Sequence, residues 1–285
     1  MLRLLIGMLG AFVAQTAEYL PIGLMLEISR NLGVSEGAVG SLMTGYAWLA
    51  ALTAVPLTLA TSRLDRRWLF LGLLGVVSLA NVFAALSPNY AVLVSMRVVT
   101  ALTHGVFWSS LASFAVRLAA DMPVSRALAW AFGGISLAIV VGVPSATAIG
   151  QCVGWRAAFA SCATFGFGVV VAGCRWLPAV RAEAKTFSGW FPQANTRLYQ
   201  AIIVTGLIIA AQFCAYTYIV PLLERVAEVS KSNIPLLLFV FGGAGAAGTL
   251  IAGWTGQRPA VLALLAAVGI VGSQILMAFG KPLPS

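Results

Sequence analysis

The chain has 285 residues, of which 60% are hydrophobic and only 9% charged, and its mean hydropathy is +0.97. A soluble domain of this size carries about 25% charged residues, so the composition excludes an ordinary soluble protein. The net charge of +9 comes from basic residues that cluster in short loops, which favours membrane topology over nucleic-acid binding as its explanation.

The apolar segments predict an all-α, polytopic membrane protein. Each segment is about 20 residues long, the length of a bilayer-crossing helix and too long for a barrel strand. We place nine spans, at about 4–26, 37–60, 69–87, 91–117, 126–150, 156–177, 198–222, 233–254 and 259–280. The polar and basic stretch 178–197 is the predicted cytoplasmic linker between a complete six-helix half (1–177) and an incomplete half of about three helices (198–285).

The loop charges predict the orientation. If the N-terminus is cytoplasmic, eleven basic residues fall on the inner side and five on the outer side, as the positive-inside rule requires. The four cysteines form neither a CxxC motif nor a metal-spaced cluster, so we expect no metal site and no cofactor.

The first and fourth spans carry charges inside apolar runs. Glu18 is 14 residues past Leu4, about 21 Å into the bilayer, and Arg97 is seven residues past Tyr90 on a helix that runs back, about 10 Å from the other face. In a hydrocarbon core about 30 Å thick the two groups have nearly the same depth. We therefore expect them to face each other or to share one polar cavity, either as a functional pair or as an ion pair that only fixes helix packing.

The only histidine, His104, follows Arg97 by two helical turns and shares its face. Imidazole relays protons near neutral pH and binds sugar hydroxyls, but a structural role for this histidine is equally open. Trp108 lies one turn further on, where it would stack on a ligand or pack against a neighbouring helix.

A short internal repeat supports two parallel halves. Gln15-x-x-x-Tyr19 in the first span recurs as Gln212-x-x-x-Tyr216 in the seventh, and Ala215 takes the place of Glu18. Parallel repeats with a midplane site are a transporter architecture. We expect a substrate path lined by Gln15, Tyr19, Trp108, Gln212, Tyr216 and Tyr218, with interface anchoring as the alternative for the tyrosines.

Three further features have predicted structural roles. The loop after the second span holds Arg63, Asp65, Arg66 and Arg67, for which membrane anchoring is the simplest explanation. Gly142 and Pro144 predict either a packing kink or a gating hinge in the fifth span. The glycines that begin at Gly242 predict close helix packing, because a membrane helix is the wrong context for a dinucleotide-binding loop.

These motifs together resemble the major facilitator superfamily, and more narrowly the bacterial sugar efflux transporters of its drug:proton antiporter branch. The resemblance runs along the whole chain and rests on five segments: Thr16–Leu24, Arg97 with His104-Gly105-x-Phe107-Trp108, Gly142–Pro144 with Gly154-Trp155-Arg156, Ala215–Ile219, and Gly242–Gly245. The family has twelve spans, so the resemblance makes this chain a C-terminally truncated member. It also departs at Ser62, where the family's gate motif has aspartate.

The resemblance implies a rocker-type helical bundle in the bacterial inner membrane that exports sugars or related small solutes in exchange for protons. Glu18, Arg97 and His104 would couple the protons, and the loop with Arg63, Asp65, Arg66 and Arg67 would serve the cytoplasmic gate. The expected partners are a sugar-like solute, protons and the lipid bilayer, but no nucleic acid. No nucleophile or zinc-protease motif suggests an enzyme. Two alternatives stay open: drug efflux by the same fold, and an inactive membrane fragment.

Overall fold

The structure is a computed structural model, and it describes residues 1–118, 122–179, 196–255 and 268–269. The regular secondary structure within these ranges is all helical. The helices are α1 (Leu2–Gly23), α2 (Met25–Leu32), α3 (Glu36–Ala60), α4 (Arg66–Ala85), α5 (Tyr90–Leu118), α6 (Val124–Leu137), α7 (Val143–Val153), α8 (Trp155–Trp176), α9 (Thr196–Thr217), α10 (Ile219–Pro221) and α11 (Ile234–Thr255).

Seven helices within the described ranges are long and apolar enough to cross a membrane, and they coincide with the first seven predicted spans. The eighth predicted span forms α11. The ninth lies outside the described residues apart from 268–269, and so does nearly all of the predicted linker. The predicted all-helical membrane fold is confirmed.

Helix α1 forms the centre of the first half. Its membrane-spanning window is 67% buried, compared with 22% for α3, and α1 packs against α3, α4, α5, α6, α7 and α8. Any polar group on α1 is therefore surrounded by protein, which fits the expectation that intramembrane charges face the bundle interior.

The fifth span is interrupted where the sequence predicts a kink. Ala138–Gly142 form one wide π-helical turn between α6 and α7, in which the Val143 N–H bonds to the carbonyl of Ala138. Pro144 follows at once and has no N–H for the regular bond to residue 140. A Cβ on Gly142 would overlap Thr16 Oγ1 of α1, so this glycine allows the two helices to approach closely.

The residues after the linker contact the first half mainly near the end of the bundle opposite the N-terminus. We call this contact the inter-half seam. Its apolar part is a cluster made of Ile22, Leu26, Met43, Val143, Tyr216, Val220, Ile234 and Leu238. Gly242 of α11 packs on the π-helical turn, because a Cβ added to Gly242 would lie only 2.6 Å from the Ile139 carbonyl oxygen. This is the close helix packing predicted for the glycines that begin at Gly242.

Charged side chains cover the seam. Arg30 donates to Glu224 over 2.9 Å, and Lys231 lies 3.6 Å from the same carboxylate. Glu36 forms an ion pair with Arg225. The two pairs that cross between the halves have opposite polarity, since the first half supplies the base in Arg30–Glu224 and the acid in Glu36–Arg225.

Candidate functional site

The Glu18 carboxylate is buried at the centre of the bundle. Gln15, one turn earlier on α1, donates its amide N–H to Glu18 Oε2 over 2.8 Å. The second neighbour of Oε2 is His104 Nε2 of α5, at 3.5 Å. The structure therefore brings together three predicted site residues, Gln15, Glu18 and His104, from two helices.

The bonds of His104 assign its tautomer. Trp108 Nε1 lies 2.7 Å from His104 Nε2, and an indole N–H can only donate, so Nε2 must accept. The ring proton is then on Nδ1, which lies 2.8 Å from the Tyr46 hydroxyl and donates to it. In this arrangement His104 is neutral.

Of the two expected arrangements of Glu18 and Arg97, facing each other or sharing one polar cavity, the structure has the second. Arg97 is only 3% exposed, but its Nη1 and Nη2 donate to the backbone carbonyls of Ala17 and Glu18, over 2.7 and 2.8 Å. Among the described residues, no ion pair joins this guanidinium to the Glu18 carboxylate. The two side chains share one polar cluster, and the arginine donates to the α1 backbone rather than to the carboxylate.

Tyr46 of α3 completes the cluster. Its ring lies under the Arg97 guanidinium, 4.5 Å from ring centroid to Cζ, while its hydroxyl binds His104. Tyr46 is not among the site residues predicted from the sequence. Its signal is a tyrosine about half a turn before the middle of α3, and a lone tyrosine in an apolar span is a weak indication of a site.

The geometry leaves room for one proton. His104 Nε2 and Glu18 Oε2 are both acceptors, and they face each other at 3.5 Å. A proton placed between them would turn this unfavourable pairing into a charge-assisted hydrogen bond. The site can therefore bind a proton within the buried polar cluster.

Trp108, for which the sequence leaves ligand stacking and helix packing both open, makes contacts within the protein, and its place in the substrate path stays a prediction. Its indole donates to His104, and its ring stacks on Phe132 of α6, with centroids 5.9 Å apart. The tryptophan thus links the histidine to the helix that leads into the π-helical turn.

The predicted path residues of α9 divide into two groups. Tyr216 is buried and packs against Tyr19 and Phe241, with centroids 5.5 and 5.0 Å apart. Tyr19 also meets Phe213 edge-on at 5.8 Å. We call Tyr19, Phe213, Tyr216 and Phe241 the aromatic cluster.

Gln212 and Tyr218 lie outside the aromatic cluster. Gln212 is exposed, and its place in the substrate path stays a prediction. Tyr218 is 43% exposed, and its hydroxyl lies beside Gly40 of α3, where a side chain would overlap it. In this structure Tyr218 therefore belongs to the inter-half seam.

The charged loop before α4 is ordered by local bonds. Asp65 caps α4 by accepting from the N–H groups of Arg67 and Trp68, over 2.9 and 3.2 Å. Arg66 donates to the Ser62 carbonyl, and Arg67 donates to the Cys174 carbonyl at the end of α8. Arg63 is exposed. These bonds tie two helix ends together within the first half, and a gate role for the loop stays a prediction.

Solved structures of membrane transporters resemble this chain in fold. A bacterial homolog of the human lysosomal transporter Spinster, in an inward-facing and unoccupied conformation, matches with a TM-score of 0.69 and 15% identity over 90% of this chain and 62% of that one. A POT peptide transporter in complex with alafosfalin matches with a TM-score of 0.56 and 14% identity, over 74% and 46%. Another POT family transporter, in complex with 5-aminolevulinic acid, gives 0.55 and 14%, over 75% and 46%.

Identities this low show the fold alone, and the chain spans 62% or less of the length of these three transporters. The family match is independent of them and covers nearly the whole sequence. Because residues 7–285 match the Major Facilitator Superfamily, the chain belongs to this family of membrane transporters.

Proposed function

We propose that this protein exports sugars or related small solutes in exchange for protons, and that Glu18 and His104 together hold the exchanged proton. One observation carries the proposal: two buried acceptors, Glu18 Oε2 and His104 Nε2, face each other at 3.5 Å. Intramembrane acids and histidines mark proton relays in pumps and transporters. Arg97, fixed beside them on the α1 backbone, is the constant positive charge of the site.

Protonation would change the packing around the site. A proton on Glu18 Oε2 donates to His104 Nε2, and the single lone pair of Nε2 is then no longer open to Trp108. The indole N–H loses its acceptor, and the ring, which stacks on Phe132, has reason to move. A ligand that binds one of two conformations better shifts the population toward it, and the proton acts here as such a ligand.

The arrangement of the halves is consistent with an inward-facing exporter. Most contacts of the described second-half residues with the first half lie at the seam, opposite the N-terminus. With the N-terminus in the cytoplasm of a bacterium, the seam closes the outer side of the inner membrane. The similar Spinster homolog has an inward-facing conformation.

A second candidate function, efflux of amphipathic drugs, is favoured by the aromatic cluster. Tyr19, Phe213, Tyr216 and Phe241 place four rings beside the polar site, whereas the amide of Gln212 is exposed. Aromatic surfaces suit flat apolar molecules better than sugars. The two functions share the proton site and differ only in the exported molecule.

The test is proton-gradient-dependent efflux from cells that express the 285-residue chain. A labelled sugar and a fluorescent amphipathic cation are the two probes, and the Glu18→Gln and His104→Gln variants are compared with the intact chain. Glu228→Gln is the matched control, because it also neutralises an acid but changes an exposed one in the loop after α10.

We expect efflux of one probe, its loss on adding an uncoupler, and its loss in both site variants but not in the control. Uncoupler-sensitive efflux that survives Glu18→Gln would refute the proton site. No efflux of either probe, with the protein present in the membrane and a full-length relative active, would refute export and identify an inactive fragment.

A further inference from the structure

Arg97 binds α1 at a carbonyl that the helix itself leaves open. In a regular α-helix, the carbonyl of Ala17 accepts from the N–H of residue 21. Residue 21 is Pro21, which lies inside α1 and has no N–H. Its ring also crowds the carbonyl four residues earlier and turns it away from the helix axis.

The open carbonyl lies in the buried centre of the bundle, where an unpaired polar group is costly. Arg97 Nη1 lies 2.7 Å from it, and Nη2 takes the next carbonyl, that of Glu18, at 2.8 Å. A guanidinium presents two parallel N–H groups and can bridge two such acceptors. At the Ala17 carbonyl, Pro21 removes one donor and Arg97 Nη1 supplies one.

We propose that Pro21 is a positioning residue: by leaving the Ala17 carbonyl open, it holds Arg97 on the α1 backbone and off the Glu18 carboxylate. This inference rests on the proposed function, since it explains how the carboxylate stays available to His104. Without the open carbonyl, Arg97 has a better acceptor close by, the carboxylate itself. A direct pair would keep Glu18 charged and oppose its protonation.

Pro21→Ala supplies the missing N–H to the Ala17 carbonyl and so removes the reason for Arg97 to bind there. The other groups around Glu18 stay unchanged. They are Gln15 on α1, His104 on α5 and Tyr46 on α3, with Tyr19 and Tyr216 on one side and Cys162 of α8 beside Arg97. Any altered protonation of Glu18 would therefore report on Arg97.

The test uses the purified full chain in lipid and needs no substrate. The protonated fraction of Glu18 is followed against pH through its carboxylic C=O stretch in infrared difference spectra, which is assigned by its loss in Glu18→Gln. We expect the ratio of protonated to charged Glu18, at a given pH, to fall at least about tenfold in Pro21→Ala, as for a carboxylate newly paired with arginine.

Two comparisons separate this role from a general effect of proline. Pro56→Ala is the matched control, because Pro56 also lies inside a membrane helix, α3, but four residues after the exposed Leu52. The second comparison repeats Pro21→Ala in an Arg97→Gln background, where the effect should vanish if it acts through Arg97. Pro21→Gly also restores the N–H and serves if the alanine variant does not fold.

An unchanged Glu18 band in Pro21→Ala, an equal change in Pro56→Ala, or an equal change without Arg97 would each overturn the inference. The outcome is separate from that of the proposed function. If Glu18→Gln abolishes proton-linked efflux but the Glu18 band is the same in Pro21→Ala as in the intact chain, only the positioning role is refuted. If the Glu18 band changes in Pro21→Ala but proton-linked efflux survives in Glu18→Gln, the proposed proton site is refuted instead.

Discussion

The proton of His104 is located by a bond on each ring nitrogen. Trp108 donates to Nε2, and Nδ1 donates to Tyr46. Because Tyr46 also lies under the Arg97 guanidinium, one tyrosine orients both the titratable ring and the fixed charge. Residues that orient a proton carrier control its tautomer, and with it which nitrogen receives the next proton.

Tyr46→Phe keeps the ring and removes the bond to Nδ1. We expect the free energy of unfolding to fall by about 1–3 kcal/mol, since a buried N–H loses its acceptor, and proton-linked efflux to fall with it. The measurement is thermal unfolding in lipid together with efflux. Tyr90→Phe is the control, because it removes another hydroxyl bond between α3 and α5, to the Ala38 carbonyl. Equal losses of efflux in both variants would contradict the role of Tyr46.

From the sequence, the residues that form the site can be predicted better than the hydrogen bonds between them. Depth arithmetic places Glu18 and Arg97 together, and the face of α5 adds His104. The partner of Arg97 is not predicted, because the long side chain of arginine can reach either the carboxylate or the backbone. Pro21 is the available signal, since its position fixes which carbonyl lacks a donor.

The π-helical turn Ala138–Gly142 lies between α11 of the second half and α1, the helix that carries Glu18. Its Gly142 lies against Thr16 of α1, two residues before Glu18, and its Ile139 carbonyl lies against Gly242 of α11. One wide turn thus contacts both α11 and the helix that carries the acid. Wide turns of this kind occur frequently at functional sites.

Gly142→Ala should separate this turn from α1. The added Cβ overlaps Thr16 Oγ1, and overpacking of a filled interior costs about 1–3 kcal/mol. We expect a lower unfolding temperature and slower efflux. Gly133→Ala is the matched control in the same span, because a Cβ there meets only Met8 Sδ at an ordinary 3.8 Å. If the two variants unfold and transport alike, the close contact at Gly142 has no special role.

The sequence predicts this element in outline. Gly142 and Pro144 indicate a kink, and Gly242 indicates a close approach. Which helices approach each other depends on the packing of the whole bundle, so neither Thr16 nor Ile139 follows from the local pattern.

The apolar cluster holds most of the inter-half seam together, and the ion pairs contribute a smaller part of the free energy that stabilises it. Arg30 and Arg225 are 52% and 60% exposed in their side chains, and exposed pairs contribute about 0.2–1 kcal/mol each. Such pairs bias a balance between two conformations but do not lock it. The sequence analysis treated these arginines only as loop charges, because their acidic partners lie about 190 residues away in the chain.

Charge reversal tests the seam. Glu36→Arg should open it, because two arginines would then face each other, and Glu36→Arg combined with Arg225→Glu should close it again. The measurement is the rate at which a water-soluble maleimide labels Met43→Cys, a seam position, in a chain whose native cysteines are serines. We expect labelling up to about fivefold faster in the single variant, as 1 kcal/mol allows. A double variant as fast as the single one would contradict the pairing.

The central claim is that Glu18 and His104 exchange one proton against the exported molecule. The most direct measurement is the pH inside liposomes that contain the purified chain and a trapped pH dye, after the probe that is exported from cells is added on one side. We predict a proton flux opposite to the movement of the probe, present in Glu228→Gln and absent in Glu18→Gln and His104→Gln. Probe movement without proton flux in the intact chain, or undiminished proton flux in Glu18→Gln, would contradict the account.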